Sequence, residues 1–149
     1  LALSDHTGMA ELRVPRSAKG YSNQGASLSE IKVDGDFLGV EVKAKRIDDL
    51  GITDVGFIKI DVEGFEYQVM QGALETIARD KPVMVVEIEE VHINRDVEEV
   101  LRFVEGLGYE TYALKDKVLT RIGNIDLDAH HRHCVNKANY IFNFVFLPR

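Results

Sequence analysis

Tryptophan is absent from this 149-residue chain, cysteine occurs once and proline three times. With Cys134 alone, no intrachain disulfide can form, so an apolar core must hold the fold, as suits a reducing cytoplasm. No apolar run approaches the roughly 20 residues a membrane span needs. A clustered basic face is also missing. The 18 Lys and Arg are outnumbered by 25 Asp and Glu, the signs are interspersed, and the formal net charge is −7. That balance argues against nucleic acid as the main partner, because phosphate binding wants concentrated positive charge. What remains is 45% apolar residues in a length expected of one globular domain.

The most informative stretch is Phe57-Ile-Lys-Ile-Asp-Val-Glu-Gly-Phe-Glu66. Phe57, Ile58, Ile60 and Val62 surround Lys59, Asp61 and Glu63, and a period of two puts those three charges on one face of a strand. Gly64 permits a tight turn, and Phe65, Val69, Met70, Ala73, Leu74 and Ile77 then recur at helical spacing. A strand thus ends at carboxylates and feeds an amphipathic helix over 65–79, which Pro82 stops. Open α/β sheets place ligand sites at such strand ends.

Short strands are expected at Leu1–Leu3, at Ala10–Val14 with Pro15 halting it, and at Val40–Ala44. Residues 16–39 read as a long loop with a hairpin near Asp34-Gly35-Asp36, and Ile47–Leu50 as a helical turn. Pro82–Glu89 is a nearly continuous apolar run, expected of a central parallel strand covered on both faces. Asp96 with Glu99 resembles a capping box before the helix carrying Val97, Val100, Leu101 and Val104, with Gly108 at its end. Tyr109–Leu114 and Tyr140–Leu147 complete the strands, and 115–139 shows no convincing helix. Right-handed crossovers would make the strands at 57–62, 82–89 and 109–114 parallel neighbours, with the last strand returning antiparallel.

Ile58-Lys-Ile-Asp-Val-Glu-Gly-Phe-Glu66, Gly72-Ala-Leu74, Pro82 and Val85-Val-Glu-Ile88 closely resemble the second half of FkbM-type methyltransferases. Upstream, Ala2–Asp5, Gly8, Leu12–Pro15, Asn23, Gly25, Ser27-Leu28 and Ile47–Leu50 are similar to the same family, so the resemblance covers roughly 1–90. It implies an α/β fold: the C-terminal half of a doubly wound, Rossmann-like class I methyltransferase sheet, mostly parallel, using S-adenosylmethionine to methylate a hydroxyl of a sugar or natural product. Such enzymes hold the cofactor with a Gly-rich turn and an acid after their first two strands. Neither has a counterpart here, and Leu1–Asp5 enter in mid-pattern, so 1–149 reads as a partial domain. Its strand at 57–62 would then present an unpaired edge, each lost ladder bond being worth about 1 kcal/mol. Such a piece is expected to fold poorly or to associate.

For the chemistry, Asp61 is the first candidate, to orient the acceptor hydroxyl, hold the cofactor's ammonium or accept a proton; otherwise it caps the next helix. Glu63 and Lys59 are further catalytic candidates, although Lys59 could simply pair with Asp61 or Glu87, and Glu66 could simply complement the helix dipole. Glu87 and His92, from the neighbouring strand end, are candidates for substrate binding, with His92 either a base or a solvated loop residue. By the resemblance Ser4 and Asp5 lie near the cofactor's adenine; their local alternative is a turn. The His130-His-Arg-His-Cys134 run is too compact to surround one metal ion, so no metal site is assigned. Two other readings stay open: Mg²⁺-dependent hydrolysis or phosphoryl transfer through Asp61, Glu63 and Glu66, and a non-catalytic α/β interaction module.

Overall fold

A computed structural model describes residues 1–18, 20–33 and 35–149. The strands are β1 (Ala2–Leu3), β2 (Gly8–Ser17), β3 (Gly20–Tyr21), β4 (Phe37–Lys45), β5 (Phe57–Ile60), β6 (Val83–Glu87), β7 (Tyr109–Lys115), β8 (Val118–Arg121) and β9 (Asn143–Pro148). The helices are α1 (Glu66–Gln71), α2 (Leu74–Asp80) and α3 (Val97–Gly106), with shorter helical turns between elements. Two sheets result, ordered β1-β4-β2-β3 and β5-β6-β9-β7-β8.

The chain is α/β, but its larger sheet departs from the parallel expectation. Only β5 and β6 pair in parallel; β9 lies between β6 and β7, antiparallel to both. The strongly β-prone 140–147 run therefore takes a central position, where both its edges find hydrogen-bond partners and Phe144 and Phe146 are fully buried. The expectation of an antiparallel last strand agrees with this; three parallel neighbours do not. Nor is β6 covered on both faces. Met84 and Val86 are fully buried, whereas Val83, Val85 and Glu87 are half-buried. The helices bury one side, joining Val69, Met70, Ile77, Val100 and Val104 to Met84, Val86, Phe144 and Phe146 in one core.

The helix expected over 65–79 is two helices. At Gly72 a Cβ would stand 1.9 Å from the Ser4 carbonyl oxygen, so the chain passes β1 at a distance only glycine permits. The buried Asp48 carboxylate then accepts from the N–H groups of Glu75 and Thr76 (3.1 and 2.9 Å), capping α2 from outside its own segment. In the smaller sheet, β2 runs through Pro15 to Ser17 instead of halting. Arg13 exchanges backbone bonds with Ser27, and Pro15, two residues on, directs its missing donor to that same side, away from β4. The expected 16–39 loop thus contains β3, a bridge at Ser27 and the start of β4; the hairpin expected near Asp34 falls partly outside the described residues. The segment at 115–139 holds β8 and short helical turns, including one at Asp128–Arg132.

Candidate functional site

The C-terminal ends of β5 and β6 lie side by side, because the pairs Lys59↔Val85 and Ile60↔Val86 fix their register. Asp61 leaves β5 there with its side chain 46% exposed. Lys59 Nζ lies 3.6 Å from Asp61 and donates to Asn143 Oδ1 at 3.1 Å, so this lysine ties β5 to the first residue of β9. Glu87, last residue of β6, shares the rim. Burial pushes its carboxyl above the ordinary carboxylate range, the negative charges of Asp61, Glu89 and Glu63 add to that, and Lys59 opposes it.

The turn after Asp61 is strained and heavily supported. Glu63 sits in the left-handed region (φ 57°), as does Gly64 (φ 93°). A Cβ at Gly64 would come within 2.4 Å of the His92 carbonyl oxygen, so glycine is required twice over, by angle and by space. Ser27 donates its hydroxyl to the Glu63 carbonyl (2.7 Å), and Ser29 donates to the His92 carbonyl (3.3 Å). Glu66, nearly fully buried, folds back so that its carboxylate accepts from the N–H of Val62 (3.1 Å) and of Gly64 (3.0 Å). It therefore builds the turn and offers no side chain to a ligand. Burial pushes its carboxyl up, against the pull of those N–H donors.

Lys32 was not singled out by any motif, yet it joins these parts. Its ammonium lies 2.8 Å from Glu63 Oε2, and 2.9 and 3.4 Å from Nε2 and Nδ1 of His92. His92 in turn faces Glu89 at 3.6 Å, and Tyr140 donates to Glu89 at 3.0 Å. Burial, the nearby Glu89 carboxylate and the hydrogen bond to it push the Tyr140 phenol up to about 12. Only the long sequence separations, 31 and 60 residues from Lys32, kept this cluster out of sight; local patterns do not report it.

Beside the rim opens a cleft of about 620 Å³ between the two sheets. Leu1–Leu3, Leu12 and Val42 form one wall, Asn23–Leu28 a second, and Asp61, Val62, Glu63 and Phe65 the third. The structure thus brings Lys59, Asp61, Glu63, Glu87 and His92 to one rim. Ser4 and Asp5 stand apart from it. Ser4 is fully buried against Gly72 and donates its hydroxyl to Asp5 at 3.0 Å. Asp5 is exposed and held below the usual carboxylate range by its hydrogen bond to His6, burial working against this. Neither lines the cleft.

In the histidine-rich run, His131 is buried with Nδ1 2.7 Å from the Ile141 carbonyl, while Arg132 binds Glu90, Glu98 and Asp128. Glu90 also accepts from Val97 N–H at 3.2 Å; the Asp96 side chain makes no capping bond, so Glu90 serves α3 instead. Among the described residues no three His, Cys, Asp or Glu side chains converge as metal ligands. The metal-hydrolase reading fails on its own ligands, because Glu66 is committed to the turn and Glu63 to Lys32. No helix among those residues is long and apolar enough to cross a membrane.

The family model described as the methyltransferase FkbM domain matches residues 1–111. No curated protein matches. Among solved structures, methyltransferase FkbM from Methylobacillus flagellatus KT is similar at 20% identity with a TM-score of 0.48, the match covering 71% of this chain and 23% of that one. This chain therefore spans less than a quarter of that relative.

Proposed function

Because the chain belongs to the FkbM-domain methyltransferase family, matched over residues 1–111, we propose that its acidic rim and adjoining cleft serve S-adenosylmethionine-dependent methylation of a hydroxyl on a sugar or natural product. One observation carries the reading: Asp61 belongs both to the cleft and to the rim where β5 and β6 end. The chain is then part of a larger methyltransferase domain, acting in the cytoplasm.

The residues present fit such a cofactor. Asp61 places a carboxylate on a cleft whose apolar walls include Leu1, Leu3, Leu12 and Phe65, which suits a molecule with an ammonium, a sulfonium and a flat base. When bound, the cofactor supplies a methyl group on a sulfonium whose carbon–sulfur bond breaks as the acceptor oxygen attacks. Asp61 orients that hydroxyl and takes its proton. Lys59, anchored on Asn143, holds the Asp61 carboxylate in place. Glu87, its carboxyl raised by burial and by the surrounding acids, accepts a second hydrogen bond from the acceptor. Glu63 and His92 belong to the wall that positions these groups. Outside the lining of the cleft, Asp5 presents its carboxylate to solvent and Ser4 holds the end of β1.

Calorimetry of the protein with S-adenosylmethionine tests binding, and its absence would favour a non-catalytic module. Asp61→Asn should then lower turnover by about 10²–10⁴-fold, the usual worth of a positioned acid or base, with far less effect on cofactor affinity. Turnover that survives the change removes Asp61 from the mechanism.

A further inference from the structure

Lys32 lies on the segment whose earlier residues, Asn23–Leu28, wall the cleft, and it reaches across to two other segments at once. We propose that Lys32 is a positioning residue: shared between Glu63 and the imidazole of His92, it keeps His92 a neutral ring and latches the cleft wall to the rim. This rests on the methyltransferase reading only for what the latch serves; the latch itself is read from the contacts.

Lys32 Nζ lies 2.9 Å from His92 Nε2 and 3.4 Å from Nδ1, so the ammonium sits against the imidazole as a whole. An ammonium has only donors and a positive charge, so the ring it touches is the neutral one. Nδ1 also faces Glu89 at 3.6 Å. The charged groups facing His92 are Lys32 from the cleft wall, Glu63 from the turn after β5, and Glu89 from its own segment. Burial and Lys32 hold the imidazole below its ordinary value, while Glu89 and Glu63 pull the other way. Neutral hydrogen bonds support the same junction: Ser27 holds the Glu63 carbonyl and Ser29 the His92 carbonyl. The contacts of Lys32 and of Glu89 with the ring depend on its protonation, in opposite senses. An imidazolium would confront the ammonium with no acceptor, and the latch would open. With Lys32 against it the ring is part of the latch, so His92 acts as a strut and the proton-accepting role stays with Asp61.

Nitrogen-resolved NMR titration of the histidine rings tests this without cofactor or acceptor, with His92→Gln identifying the signal. The expected wild-type result is a ring that titrates below 6.5. Lys32→Met, which removes the opposing charge and frees Glu63, should raise that midpoint by roughly one pH unit, and Lys32→Arg should leave it low. Should Lys32→Met fail to fold, the wild-type and Lys32→Arg midpoints decide. A wild-type midpoint at or above 6.5, or a midpoint indifferent to Lys32→Met, overturns the proposal. Cofactor binding, measured separately by calorimetry, reports on the methyltransferase reading instead.

Discussion

At the residue scale, the turn from Asp61 to Glu66 concentrates the constraints. Glu66 satisfies the N–H groups of Val62 and Gly64 from inside the fold. Glu66→Ala should therefore cost about 2–4 kcal/mol, since each buried donor left without a partner costs roughly 1–3 kcal/mol, while Glu66→Gln, which keeps one acceptor, should cost less. Urea unfolding measures both. Gly64→Ala meets the His92 carbonyl and a left-handed backbone together, and should destabilise by at least about 1–3 kcal/mol on the backbone angle alone. His92 adds a pH dependence whose sign is fixed. Its folded value is lowered, so between that value and the ordinary 6.5 the unfolded chain binds more protons. The stability it contributes is full above 6.5 and is lost as pH falls through that window. Urea midpoints should drop between pH 7.5 and 5.5 by more in the wild type than in His92→Gln.

Among the elements, β9 shows where sequence patterns stop being informative. Its β propensity is plain from Tyr140–Leu147, but its neighbours depend on pairings 31 to 62 residues away, and nothing local says that it enters between β6 and β7. The helix break at Gly72 is similar. Periodicity carries straight through it, while the Gly72 carbonyl accepts from the Asp48 N–H and the Asp48 carboxylate caps α2, both partners supplied by a distant segment. By contrast the end of β5, the glycine turn and the apolar stripe of α3 are local and legible. Because β9 is central, Phe146→Ala should cost about 3–5 kcal/mol, the usual penalty for emptying a fully buried aromatic site. A scan of thermal unfolding against Phe57→Ala, an exposed edge residue, should show the contrast.

For the whole molecule, the rim was legible because strand ends and carboxylates share one motif, and Asp61, Glu63, Lys59, Glu87 and His92 do come together. Lys32, Glu89 and Tyr140 were not, since their partners lie on other segments. Ser4 and Asp5 were expected at the cofactor from likeness alone; Ser4 packs against Gly72 and Asp5 pairs with His6, both outside the lining of the cleft. Among the described residues β5 pairs only with β6, and Phe57 on it is exposed, so β5 is an edge strand of its sheet. Sedimentation of the chain at rising concentration should show a rising average mass, and Phe57→Lys should suppress it. The central claim, that the cleft between Asn23–Leu28 and Asp61–Phe65 receives the methyl donor beside the acidic rim, is tested most directly by mapping backbone amide shifts as S-adenosylmethionine is added. The account predicts saturable changes confined to Leu1–Leu3, Asn23–Leu28 and Asp61–Phe65, and weakened by Asp61→Ala. Shifts centred elsewhere, such as on Leu114–Lys117 and Ala138–Asn143, or none at millimolar cofactor, would contradict it.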